Sequence, residues 1–69
     1  MNALDELAES FSRLPGIGKK SAMRISNHLL KADQSFLELF AKQLVELHSR
    51  IHQCSECGAY TEKDPSAIC

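Results

Sequence analysis

Apolar residues recur with helical spacing in three runs along the first fifty or so positions. In the first, Leu4, Leu7, Ala8, Phe11 and Leu14 follow the i, i+3, i+4, i+7 rule, leaving Asp5, Glu6, Glu9 and Arg13 for the wet side. Pro15 ends that run, because proline has no amide to continue a helix. The second run predicts a helix from Lys19 to Leu30 with Ala22, Met23, Ile25, Ser26, Leu29 and Leu30 facing inward. Lys20, Arg24, Asn27 and Lys31 fall on the opposite stripe, so no charge has to be buried when this helix docks. The third run is the longest: Leu37, Phe40, Ala41, Leu44, Leu47, His48 and Ile51 predict one helix over about four turns, wide enough to cover both earlier helices. Asp33 or Ser35 should open it, with Ser35 and Glu38 spaced as a capping box. His48 reads as a histidine at the edge of the helical core, its ring nitrogen satisfied locally, in preference to a ligand or catalytic group. After His52 the helical pattern stops. Ala59 to Thr61 suit a short strand and Glu62 to Pro65 a turn. The prediction is a mainly α, three-helix domain over residues 1–53 and a short non-helical segment over residues 54–69.

Between the first two helices lies Leu14-Pro15-Gly16-Ile17-Gly18. Proline presets φ at the second position of a tight turn, and Gly16 can take the positive φ that a type II turn needs at the third. Gly18 leaves the backbone bare where the second helix starts. The first turn of a helix carries unpartnered amides and a partial positive charge, and without Cβ atoms in the way an anionic oxygen can approach them. Lys19 and Lys20 add full charges at the same place. The turn and helix start are therefore a phosphate cradle, with Gly16, Gly18, Lys19, Lys20, Arg24 and Lys31 as candidate contacts to nucleic acid. The alternative for the basic residues is an ordinary solvated helix face.

Net charge would not suggest this, since the chain carries −1 at neutral pH. Its distribution does. Residues 1–12 hold Asp5, Glu6 and Glu9 without a basic residue, whereas residues 13–31 hold Arg13, Lys19, Lys20, Arg24 and Lys31 without an acidic one. A local basic patch on a near-neutral chain favours a focused phosphate contact over a general polycation effect. At 69 residues there is room for one small domain burying about 60% of its unfolded surface, so a metal or a partner is expected to assist stability. No signal peptide or membrane span is evident, which makes the cytoplasm the expected location.

Three cysteines, Cys54, Cys57 and Cys69, crowd the last quarter. Two residues between Cys54 and Cys57 let both thiolates reach one tetrahedral zinc, and Gly58 lets the backbone fold back behind them. Cys69 could return to the metal, which leaves one position unfilled. Free thiols near a chain end are the alternative. Redox exchange is disfavoured, because no βαβ pattern surrounds the pair.

Leu14-Pro15-Gly16-Ile17-Gly18-Lys19-Lys20-Ser21-Ala22-Met23-Arg24-Ile25, then His28-Leu29-Leu30, then a long helix leading into Cys54-Ser55-Glu56-Cys57, resembles the N-terminal part of the bacterial RecR recombination mediators. The resemblance covers nearly the whole chain. It implies a helix-hairpin-helix region followed by a four-cysteine zinc finger, with the family's Toprim domain absent from these residues. It also implies a non-catalytic DNA-binding module that acts with RecO and RecF in loading RecA on single-stranded DNA. Homo-oligomers formed partly through the N-terminal helices, a cytoplasmic, nucleoid-associated location and no small-molecule substrate complete the expectation. Lys20 and Arg24 fall at the family's DNA-contacting lysine and arginine, and Gly16 and Gly18 at its hairpin glycines. Lys19 stands where many members have proline.

The finger departs from the pattern, because Ser66 occupies the third ligand position and Cys69 the fourth. Three explanations fit the departure: zinc on Cys54, Cys57 and Cys69 with water or a neighbouring side chain, loss of the site through Ser66, or a slipped register with Cys69 third. The rival functional reading is a helical dimerisation or partner-interaction module without direct DNA contact. A helix-hairpin-helix glycosylase is disfavoured, since so short a chain has no room for a flipped-base pocket.

Overall fold

A computed structural model of the chain describes residues 1–63. In order come α1 (Ala3–Ser12), α2 (Lys19–Leu30), α3 (Gln34–Val45), α4 (Leu47–Arg50), β1 (His52–Gln53) and β2 (Tyr60–Thr61). The chain forms two compact units, Met1–Leu37 and Glu38–Cys69, with the boundary falling inside α3.

In the first unit α1 and α2 pack on each other. Asn2 caps α1: its side-chain oxygen accepts from the Asp5 amide at 2.9 Å, and the Asp5 carboxylate accepts from the Asn2 amide at 3.4 Å. This reciprocal box satisfies two donors that the first helical turn would otherwise leave open. The buried residues are small ones: Ala8 of α1 with Ala22 and Ser26 of α2, joined by Leu29. Short side chains let two helices approach closely, and the Ser26 hydroxyl is satisfied inside the contact by donating to the Ala22 carbonyl at 2.8 Å.

The buried stripe of α2 is narrower than expected. Met23 and Ile25 are half-buried, and Leu30 is 69% exposed. Leu30 lies about 70° around the helix from the mean direction of Ala22, Ser26 and Leu29. A single partner helix covers only one narrow strip of such a surface.

The Asp33 carbonyl, accepting from the Phe36 and Leu37 amides, opens α3. Ser35 already lies inside the helix, so of the two alternatives Asp33 is the correct one. The single long helix expected to reach Ile51 is interrupted. Glu46 has ψ −2°, away from helical values near −42°, and α4 starts afresh after it. Ser49 Oγ bonds the Glu46 carbonyl at 2.9 Å in the restarted turn. The apolar stripe also stays open, contrary to the expectation that it is covered. No residue of α3 is buried; Leu37, Phe40 and Ile51 are half-buried, while Ala41, Leu44, Leu47 and His48 are exposed. His48 is therefore no core-edge residue. Such a stripe is buried only by an opposing apolar layer, and among the described residues of the second unit Cys54 alone is buried.

The two short strands pair antiparallel, His52 with Thr61 and Gln53 with Tyr60. Of the strand expected over Ala59 to Thr61, Tyr60 and Thr61 pair, and the two strands clamp the ends of the Cys54–Ala59 loop. Arg50 reaches Glu62 by a 2.8 Å hydrogen bond from Nε, although both side chains are more than half exposed, so this pair adds little stability.

Candidate nucleic-acid interface

The connection between α1 and α2 is the sharp turn expected from its sequence. α1 closes through amides of Arg13 and Leu14 donating to the carbonyls of Ser10 and Phe11. The Ile17 amide then donates to the Leu14 carbonyl at 3.2 Å across Pro15 and Gly16, and Gly16 takes φ +81°. That value lies in the left-handed region that glycine alone enters without strain. Gly18 caps α2 in extended conformation with φ −84°, and no side chain bonds to the helix start. A Cβ added at Gly18 would meet no atom within 4 Å. Internal packing therefore does not require glycine there, and the backbone at the helix start is open.

Beyond the cap, Lys20, Arg24 and Lys31 lie on one side of α2. At about 100° per residue the three fall within about 40° of one another, on the face away from Ala22, Ser26 and Leu29. All are exposed, and none makes an ion pair or a side-chain hydrogen bond among the described residues. Their charges are free to meet an external anion. Gly16 and Gly18 lie at the start of this stripe, close in sequence to Lys20.

Lys19 points elsewhere. It lies about 100° from Lys20 around the helix and lines a hollow of about 390 Å³ between α1 and α2 with Asp5, Glu9 and Met23. Asn27, also expected on the polar stripe, is half-buried and donates to the Met23 carbonyl at 2.9 Å. A feature not anticipated from the sequence adjoins the basic stripe: Ser21, Arg24, Ile25 and His28 border an open, shallow hollow of about 450 Å³ on one face of α2. Their i, i+3, i+4, i+7 spacing was a legible signal, masked by the apolar run that shares the same helix.

In the second unit, Cys54-Ser55-Glu56-Cys57-Gly58 folds back on itself. The Gly58 amide donates to the Cys54 carbonyl at 3.0 Å, with Gly58 at φ +80°, so the backbone turns back at the glycine as expected. Cys54 is buried and Cys57 exposed. Among the described residues no group of three metal-ligating side chains gathers; Ser66 and Cys69 lie outside them, as do Asp64 and Pro65 of the turn expected at Glu62 to Pro65. No helix among the described residues is long and apolar enough to cross a membrane.

Comparison with known proteins returns a family model described as RecR, helix-hairpin-helix, matching residues 4–48. That span includes both helices, the hairpin and α3, and stops short of the cysteine knuckle. The recombination protein RecR of Treponema denticola is 51% identical over all 69 residues of this chain, which correspond to 35% of that protein. RecR proteins from two strains of Clostridium perfringens are 46% identical over 67 residues, 97% of this chain and 34% of theirs. The chain thus spans about a third of the length of the curated relatives it matches.

Proposed function

The chain belongs to the RecR helix-hairpin-helix family, and from that premise we propose that it is the DNA-binding module of a recombinational repair mediator, acting by binding and not by chemistry. The observation that carries the reading is the juxtaposition of the Gly16 turn and the bare Gly18 cap with the unpaired stripe of Lys20, Arg24 and Lys31. The hairpin amides and the start of α2 take one phosphate, and Lys20 and Arg24 take its neighbours. Phosphates carry no base identity, so sequence preference is weak. Few contacts are available in each copy, and useful affinity calls for several copies acting together.

The exposed apolar residues of α3, Leu39, Leu44 and Val45 among them, support pairing of subunits through the N-terminal helices alongside DNA binding. In the whole protein we place the module with RecO and RecF in loading RecA on single-stranded DNA, in the cytoplasm at the nucleoid. Zinc is part of the proposal: Cys54, Cys57 and Cys69 would hold it, and it would supply folding free energy to a segment too short to obtain that from burial.

A salt titration of oligonucleotide affinity tests the DNA reading. Phosphate contacts give a negative slope of log affinity against log salt, about −0.7 per contact for a single strand. Lys20→Glu is expected to lower both affinity and slope. Unchanged binding in that variant would leave only the interaction-module reading.

A further inference from the structure

We infer that the hollow formed by Ser21, Arg24, Ile25 and His28 is a nucleotide subsite that takes an unpaired base, with His28 as its stacking face. The inference rests on the DNA reading of the neighbouring hairpin and extends it from phosphate to base. The hollow is an open depression along one face of α2, and its volume of about 450 Å³ exceeds what one phosphate needs. The lining is mixed in a way that a backbone contact alone does not require. Arg24 and Ser21 supply a cation and a hydroxyl for a phosphate. Ile25, half-buried, supplies an apolar wall, and the exposed imidazole of His28 supplies a planar ring.

Position fits the same ligand. His28 lies about 40° around α2 from Arg24 and one helical turn further along, so a strand whose phosphate reaches Arg24 from the hairpin side carries its next base towards His28. The ring is not committed elsewhere: His28 makes no side-chain hydrogen bond or ion pair among the described residues. A base inside a duplex is already stacked on both faces. The subsite therefore selects an unpaired nucleotide, as in a single strand or a gap, without selecting its identity, because every base has a π-face.

The test uses the whole chain with a fluorescently labelled oligothymidylate and an abasic strand of the same length. His28→Ala is expected to weaken binding to oligothymidylate by about fivefold, leave binding to the abasic strand unchanged and keep the salt slope of the parent. His28→Phe, which retains a planar ring and no charge, is expected to restore the affinity. Equal loss on both strands, or rescue by His28→Lys but not by His28→Phe, would mean a phosphate contact and would overturn the base subsite. No loss in His28→Ala, with Lys20→Glu still impaired, overturns the subsite and leaves the hairpin reading in place. If neither variant loses affinity, both readings fall.

Discussion

Gly16 and Gly18 are separated by one residue and differ in what a methyl group would do to each. Gly16 has φ +81°, and a Cβ there would meet nothing within 4 Å, so Gly16→Ala adds no clash and isolates the backbone term. Placing an L-residue in the left-handed region costs about 1–2 kcal/mol. The stiffer unfolded chain gives back less than that. A net loss of about 1 kcal/mol lowers the melting temperature of a domain this size by about 4–8 °C. Gly18 has φ −84° and the same open surroundings. In Gly18→Ala the weaker cap and the stiffer unfolded chain offset each other to within about 0.5 kcal/mol. Under the proposed phosphate contact, however, that methyl would stand between the phosphate and the amides of the helix start. The pair should separate in two assays: thermal unfolding followed by far-UV circular dichroism, and oligonucleotide binding followed by fluorescence anisotropy. Gly16→Ala is expected to melt early, and Gly18→Ala to melt normally but bind weakly. A parental melting temperature for Gly16→Ala would refute the turn geometry. Full affinity in Gly18→Ala would refute backbone capture of the phosphate.

Two further outcomes follow from the packing and from the knuckle. Ala22 is fully buried at the α1–α2 contact, so Ala22→Leu should overpack it and cost about 1–3 kcal/mol in urea unfolding; a change within about 0.3 kcal/mol would mean that the two helices are not held there. Cys57→Ser removes a thiolate from the Cys54–Gly58 knuckle, and native mass spectrometry should find one zinc per parent chain and none in the variant; equal metal content would exclude Cys57 as a ligand.

Local chemistry made much of this protein legible. α2 runs from Lys19 to Leu30 as its period requires, and the Gly16 turn has the φ that Pro15-Gly16 demands. Both are set by residues within a few positions of one another, where sterics and amide bookkeeping leave few choices. The Asn2–Asp5 cap was equally local and was readable as a polar residue three positions before an acid. The break at Glu46 was not, because the apolar period runs through it unchanged while the backbone does not.

What the sequence determined by itself is therefore the turn, the helix start and the side of α2 that carries Lys20, Arg24 and Lys31, since a helix fixes directions at about 100° per residue whatever surrounds it. Tertiary structure decided which apolar residues are covered. The small residues Ala8, Ala22 and Ser26 form the contact while Leu30 stays outside and α3 buries nothing, because burial depends on a partner surface that no single helix encodes. It also decided that Lys19 turns towards α1 and that Ser21, Arg24, Ile25 and His28 frame one hollow. Spacing gives a residue its direction; only the packed neighbours settle what lies there.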